Sequence, residues 1–350
     1  GFKLGNLSKS KTRYNKIRNY PENTDIVVNY FYESKTPSSR GGEAITDSRN
    51  VSILVQHSLM KMPDDNFKTR KDDSRVGYFT TQSNDMTSID QVNYRDFINR
   101  WRLEKKNPEM DISEPVKPIV WWIENTTPLE FRDIIKEGVE RWNIAFREAG
   151  FINAVQVKVQ PDTAEWDAGD IRYNVLRWTS SPKPPWGGYG PSFVNPRTGE
   201  ILGADIMLEW SYITNRIVAD ELFNESSISD DNCCSAGKFQ QIEKSFGLNY
   251  IKNMNLSENM EDELVKQSLY RLVLHEVGHT LGLNHNFKGS ILLSTDELNN
   301  KDIVNEKGVT SSVMDYPAIN INKNPNEQAL FFDVKPGFYD RWAIKYGYSS

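Results

Sequence analysis

His275-Glu276-Val277-Gly278-His279-Thr280-Leu281-Gly282-Leu283-Asn284-His285 holds three of the four histidines in the chain, and its reading organises everything around it. On an α-helix, residues four apart lie one above the other, so His275 and His279 project side by side at about 6 Å. That spacing suits two imidazoles converging on one zinc ion at ~2.0–2.1 Å each. Gly282 accepts the left-handed conformation that ends a helix, which lets the chain turn back and deliver His285 as a third ligand. Three nitrogen ligands leave a fourth position open to water, the arrangement of a catalytic rather than a structural zinc. Glu276 follows the first ligand and faces that water. Zinc brings the pKa of a bound water to ~7, and a carboxylate beside it serves as general base.

Outward from this stretch the pattern is mixed. The apolar positions predict a long helix from about Glu261 to Leu283, preceded over residues 226–260 by a polar, irregular surface insertion with some helix. Upstream, Val116 to Ile123 reads as a buried strand. Phe131, Ile135, Val139, Trp142, Phe146 and Ala149 recur at spacings of four and three, one helical stripe that Gly150 terminates. Strands follow at Val155–Val159 and Ile171–Trp178. A hairpin is expected with Asn195-Pro196-Arg197-Thr198-Gly199 as its turn and Ile201 to Trp210 as its second strand. Strand, helix, strands and helix describe a mixed α/β domain over residues 115–350. Residues 1–82 are rich in short β-type runs such as Ile26-Val27-Val28 and Val51-Ser52-Ile53-Leu54-Val55, and read as a small β-rich unit, or part of a larger one. Residues 83–114 read as a linker.

The 350 residues suffice for two compact domains. With 42 basic and 48 acidic side chains the net charge is −6, which argues against nucleic acid as a partner. No apolar run approaches the roughly 20 residues of a membrane span. Adjacent Cys233 and Cys234 define no disulfide framework, and their role is open. Gly1 is not an initiator and no signal sequence opens the chain, so a processed product or fragment is expected. His57 reads as a structural histidine in a β-type run, and Ser229-Asp230-Asp231-Asn232 lacks the glycine and distal glutamate of a calcium loop.

The extended motif resembles the metzincin metallopeptidases, in which His-Glu-x-x-His-x-x-Gly-x-x-His is followed by a methionine turn. Ser311-Ser312-Val313-Met314-Asp315-Tyr316-Pro317 supplies such a turn. The chain is more similar still to a bacterial group of Met-zincin peptidases known mostly as domains of unknown function. The shared features are His285-Asn286-Phe287-Lys288, Ser312 to Tyr316, and the Tyr339–Tyr348 ending. Asp73 to Phe79 resembles the end of the domain that precedes the protease in that group.

The resemblance implies an α+β fold: a mixed twisted sheet, a backing helix at Phe131–Gly150, an active-site helix and a Met-turn, preceded by part of a small β-rich domain. It implies that Met314 forms an apolar floor under the metal and that Gly282 is structural. It also implies a peptide or protein substrate, bound extended along a cleft bordered by a strand for which Ile201–Trp210 is the candidate. A secreted, periplasmic or envelope location follows from the same source. In astacin-like and serralysin-like relatives the tyrosine two residues after the turn methionine reaches the zinc or the oxyanion, a role Tyr316 takes if it is not simply packed in the turn. Asn286, after the third histidine, departs from the residues of better-known subfamilies.

The expected function is zinc-dependent peptide-bond hydrolysis by an activated water, with Glu276 and Tyr316 catalytic and His275, His279 and His285 holding one zinc ion. Two alternatives share the three histidines: a catalytically silent, zinc-stabilised binding module and a zinc hydrolase of a non-peptide amide. Residues 1–82 are expected to form an ordinary packed domain rather than a latency segment placing Asp73 on the metal. A chain starting near Asp111 would then retain full activity.

Overall fold

A computed structural model describes residues 4–37, 47–63, 66–91, 94–180, 188–209 and 236–349. The chain divides into two compact units, Gly1–Asp65 with Glu165–Arg172, and Asn66–Ala164 with Tyr173–Ser350.

The first unit is an antiparallel sheet built on the strand Asn23–Glu33. Asn50–Met60 pairs with its whole length on one side, from Asn23↔Met60 to Glu33↔Asn50. Arg13–Asn19 and Asn6–Leu7 share the other side. The β-type runs of the sequence all fall in this sheet, where β-branched and aromatic side chains fit the pleated surface. His57 sits on it with the Tyr30 hydroxyl 2.9 Å from its Nε2. Glu165–Arg172 is a remote piece of the same unit. The Asn23 side chain donates to the Gly169 carbonyl (2.8 Å) and accepts from the Ile171 N–H (3.1 Å), while the Tyr20 hydroxyl donates to Asp167 (2.6 Å).

The second unit is organised around a five-stranded sheet. Its spatial order is Gly188–Tyr189, Ile206–Glu209, Asn174–Thr179, Ile119–Ile123, Val155–Val159, with only the first strand antiparallel to its neighbour. Ile119, Trp121 and Ile123 alternate inward and are buried. The expected helical stripe is present as two pieces, Leu129–Glu140 and Asn143–Glu148. At their junction Trp142 N–H bonds back to Val139, a tighter turn that keeps the apolar face in register. Ile135, Val139, Trp142, Phe146 and Ala149 are all buried, Phe131 stacks on Trp178 at 5.4 Å, and Gly150 ends the stripe at φ +91°.

The hairpin turn falls where expected, joining Ser192–Val194 to Glu200–Ala204, with Asn195 N–H donating to Glu200 O at 2.8 Å and Gly199 at φ +75°. Its second strand is shorter than the sequence suggests. Asp205 interrupts it, its carboxylate accepting the Val175 N–H at 3.1 Å, and a separate strand Ile206–Glu209 begins. That strand is flanked on both sides by others, so its backbone has no free edge to offer a substrate; the antiparallel edge is Gly188–Tyr189. Trp210, Cys233, Cys234 and Ser229–Asn232 lie outside the described residues.

Two helices complete the frame. Ala236–Asn253 supplies the helix expected within the polar stretch 226–260, and is longer than that reading suggests. Glu258–Thr280, the site helix, starts with Glu258 and Glu261 in its first turn, favourable against the helix dipole. From Gln267 to Thr280 every residue of it is buried, so this end of the helix is enclosed on all sides. It crosses the backing helix closely: a Cβ on Gly138 would lie 3.0 Å from Val273 Cγ1. Among the described residues no helix is long and apolar enough to cross a membrane.

Candidate metal centre

His275 and His279 lie on the last turns of the site helix, and His285 returns to them after Gly282, which adopts φ +98° as the sequence requires. One ligand atom from each histidine falls within 4.8 Å of the others. Ring centroids stand 4.7 Å apart for His275–His279, 4.7 Å for His279–His285 and 5.3 Å for His275–His285.

The outer nitrogens of two rings are tied to backbone carbonyls. His275 Nδ1 is 2.7 Å from Val313 O, and His279 Nδ1 is 2.9 Å from Leu283 O. A carbonyl only accepts, so each Nδ1 carries the proton and each Nε2 presents a lone pair to the centre. Burial, reinforced by the neighbouring histidines, holds His275 well below the usual imidazole range and His279 down to about 4; burial also lowers His285. Three neutral imidazoles with converging lone pairs are the donor set of a divalent transition metal.

Glu276 supplies an independent test of that fit. It is completely buried, and no side chain among the described residues hydrogen-bonds either carboxylate oxygen; only the Gly190 backbone comes near. Burial pushes its pKa up to about 8, an effect the Gly190 backbone only partly opposes. A buried carboxyl without a side-chain partner, on the helix that carries two of the histidines, is expensive unless a cation and its water complete the site. The residues present fit a zinc ion.

The glycines opposite Glu276 set the space around it. A Cβ on Gly188 would sit 2.9 Å from Glu276 Cγ and Oε1, and one on Gly190 would sit 2.8 Å from its backbone oxygen. The antiparallel edge strand therefore passes close to the carboxyl at Gly188, where it has no side chain, and Gly190 lets the chain lie against the site-helix backbone.

The turn at Met314 closes the site from below. Met314 is fully buried, and a Cβ on Gly278 would run into its sulfur. Tyr316 reaches the cluster, its hydroxyl 2.8 Å from His285 Nε2. A narrow recess lies beside His275, lined by Phe239, Gln240, Tyr316, Pro317 and Phe332 among others.

The supports of this turn carry no local sequence signal. Arg271, one helical turn before His275, donates through its guanidinium to the Val313 and Asp315 carbonyls. Asp340, in the C-terminal helix Phe338–Tyr348, accepts from the Ser312 hydroxyl (2.7 Å), the Val313 N–H (2.7 Å) and the Gly337 N–H (2.8 Å). Asp73 is bound instead to Arg75, with Nη2 2.6 Å from Oδ2, and is not part of the histidine cluster.

A mixed sheet, a backing helix, a helix bearing paired histidines, a third histidine after a left-handed glycine and a methionine turn are the features of a metzincin-like domain with a histidine cluster compatible with zinc. Residues 257–350 match the family model described as Met-zincin. Residues 1–106 match a second model, described as Domain of unknown function (DUF5117). No curated protein and no solved structure matches the chain.

Proposed function

We propose that the protein is a zinc-dependent endopeptidase. The observation that carries this reading is the fully buried Glu276 carboxyl, unpaired by any side chain, on the helix that bears His275 and His279, two imidazoles whose outer nitrogens are already committed. Zinc held by His275, His279 and His285 would acidify a water and polarise the scissile carbonyl. Glu276 takes the proton from the attacking water and returns it to the departing amine, which needs a carboxylate held close and free of other partners. The Tyr316 hydroxyl donates a hydrogen bond to the developing oxyanion. The substrate lies extended along the edge strand Gly188–Tyr189, adding itself by backbone hydrogen bonds. Resemblance to the Met-zincin group supports action outside the cytoplasm, which cell fractionation tests.

Three substitutions test the chemistry. Glu276→Ala should keep one zinc per chain and the fold while abolishing cleavage of a peptide library. His279→Ala should lose the metal as well. Tyr316→Phe should slow turnover about tenfold to a thousandfold. Full peptidase activity in Glu276→Ala would contradict the mechanism. A wild-type protein that binds zinc but cleaves no peptide would move the reading to the silent binding module, or to a non-peptide amidase if such amides are hydrolysed.

A further inference from the structure

The loop that carries His285 back to the metal has no regular structure of its own, and much of what fixes its path comes from far upstream. The Gly282 carbonyl accepts the Phe79 N–H at 2.8 Å, and the Asn284 N–H donates to the Gly77 carbonyl at 3.0 Å. Tyr78 and Leu283 form an antiparallel bridge between these bonds. Just before the loop, the Thr280 carbonyl accepts the Trp101 indole N–H at 2.8 Å. The Asn99 carbonyl fills the space where a Cβ at Gly282 would stand, while the Asn99 N–H donates to Phe79 O at 2.8 Å. The Phe79 ring lies against His279, centroids 5.6 Å apart and tilted 44°.

This upstream segment is itself anchored. The Tyr78 hydroxyl donates to the Ala343 carbonyl (2.9 Å), and the Gly77 N–H donates to the Tyr339 hydroxyl (2.7 Å). Residues 77–79 are therefore held from behind by the C-terminal helix and, with Asn99 and Trp101, press forward on the second histidine and the loop to the third. The geometry points to a positioning role for this segment in the metal centre, with Phe79 orienting the His279 ring and the backbone at residues 77–79 setting the path to His285. The inference rests on the zinc reading. It gives part of the stretch matched as a domain of unknown function a place in the metal site.

The physical reason is preorganisation. His275 and His279 are fixed by their helix, but the position of His285 is only as definite as its loop. Partners that orient metal ligands from behind typically contribute 10- to 100-fold in metal affinity. In the full-length chain, Phe79→Ala removes the ring and leaves the backbone bonds, and Trp101→Phe removes the indole donor while keeping an aromatic ring. The zinc dissociation constant of each, measured by chelator competition, should rise about 10- to 100-fold. The visible absorption of the cobalt-substituted protein should change in both, and Phe79→Tyr should restore the wild-type values. A segment that merely supports the fold would lower the unfolding temperature of the metal-free chain and leave affinity and spectrum as in wild type; that result overturns the inference. A wild-type chain that holds no zinc overturns the metal reading and this inference together.

Discussion

At the scale of single residues, the site depends on what is missing beside Glu276. Its carboxyl has room because Gly188 lacks a side chain, and a methyl group there would meet Glu276 Cγ, Oε1 and Leu272 Cδ1, each at 2.9 Å. In Gly188→Ala the edge strand or the carboxyl must shift. Displacing a catalytic group by about 1 Å costs on the order of 100-fold in rate. We therefore expect kcat to fall roughly 10- to 100-fold, with zinc content unchanged because no ligand is touched. Steady-state kinetics alongside metal analysis checks this, and undiminished kcat would show that the strand yields without cost. This requirement could not be read from Gly187-Gly188-Tyr189-Gly190, since a glycine-rich run looks the same whether it turns in solvent or crosses a buried acid. The histidines are different. Their roles follow from helical spacing and one left-handed glycine, information contained within eleven consecutive positions.

Among the elements, the methionine turn shows how a short irregular stretch is fixed by a helix nearly thirty residues downstream. Asp340 receives three hydrogen bonds from residues 312, 313 and 337 while being completely buried. Burial outweighs these bonds and raises its pKa to about 6 from an ordinary 3.8. A carboxyl whose folded pKa lies above its unfolded one stabilises most below the unfolded value, and that contribution is lost as pH rises through the folded one. The metal-free protein should thus lose some stability between about pH 4 and 6 through this group. Asp340→Asn, which keeps an acceptor for the two N–H groups and can donate to Ser312, should remove that part of the slope with little other harm. Asp340→Ala should cost about 2–5 kcal/mol by leaving buried donors unpaired. Denaturant unfolding at the two pH values measures both, and an Asn variant with the wild-type slope would assign the titration elsewhere. Neither Asp340 nor Arg271 was legible as a support, because each acts across a long loop and sits in an unremarkable helical sequence. The helices and the hairpin turn were legible because period and turn residues are local. The break at Asp205 was not, since it depends on the Val175 N–H from another strand.

For the molecule as a whole, the sequence suggests that everything before residue 115 is dispensable for the site. Residues 77–101, packed within the second unit, change that expectation. A chain of residues 66–350 should still bind one zinc, whereas residues 107–350 should not, because the third-ligand loop loses its partners. Zinc per chain after gel filtration distinguishes the two, and full occupancy in the shorter chain would restore the simpler reading. The pairing of Tyr78 with Leu283 spans about two hundred positions, a distance over which no periodicity can signal contact.

The placement of Glu165–Arg172 with the first unit has a consequence at the level of the gene. The polypeptide passes between its two units at residues 65–66, 164–165 and 172–173, so the coding sequence of one is interrupted by that of the other. A single crossover near codon 65 that exchanged the first unit for another would leave eight residues behind, with Gly169, Ile171 and Asp167 deprived of Asn23 and Tyr20. Recombination by simple exchange of ends should therefore be penalised, since it would separate residues that one unit needs together.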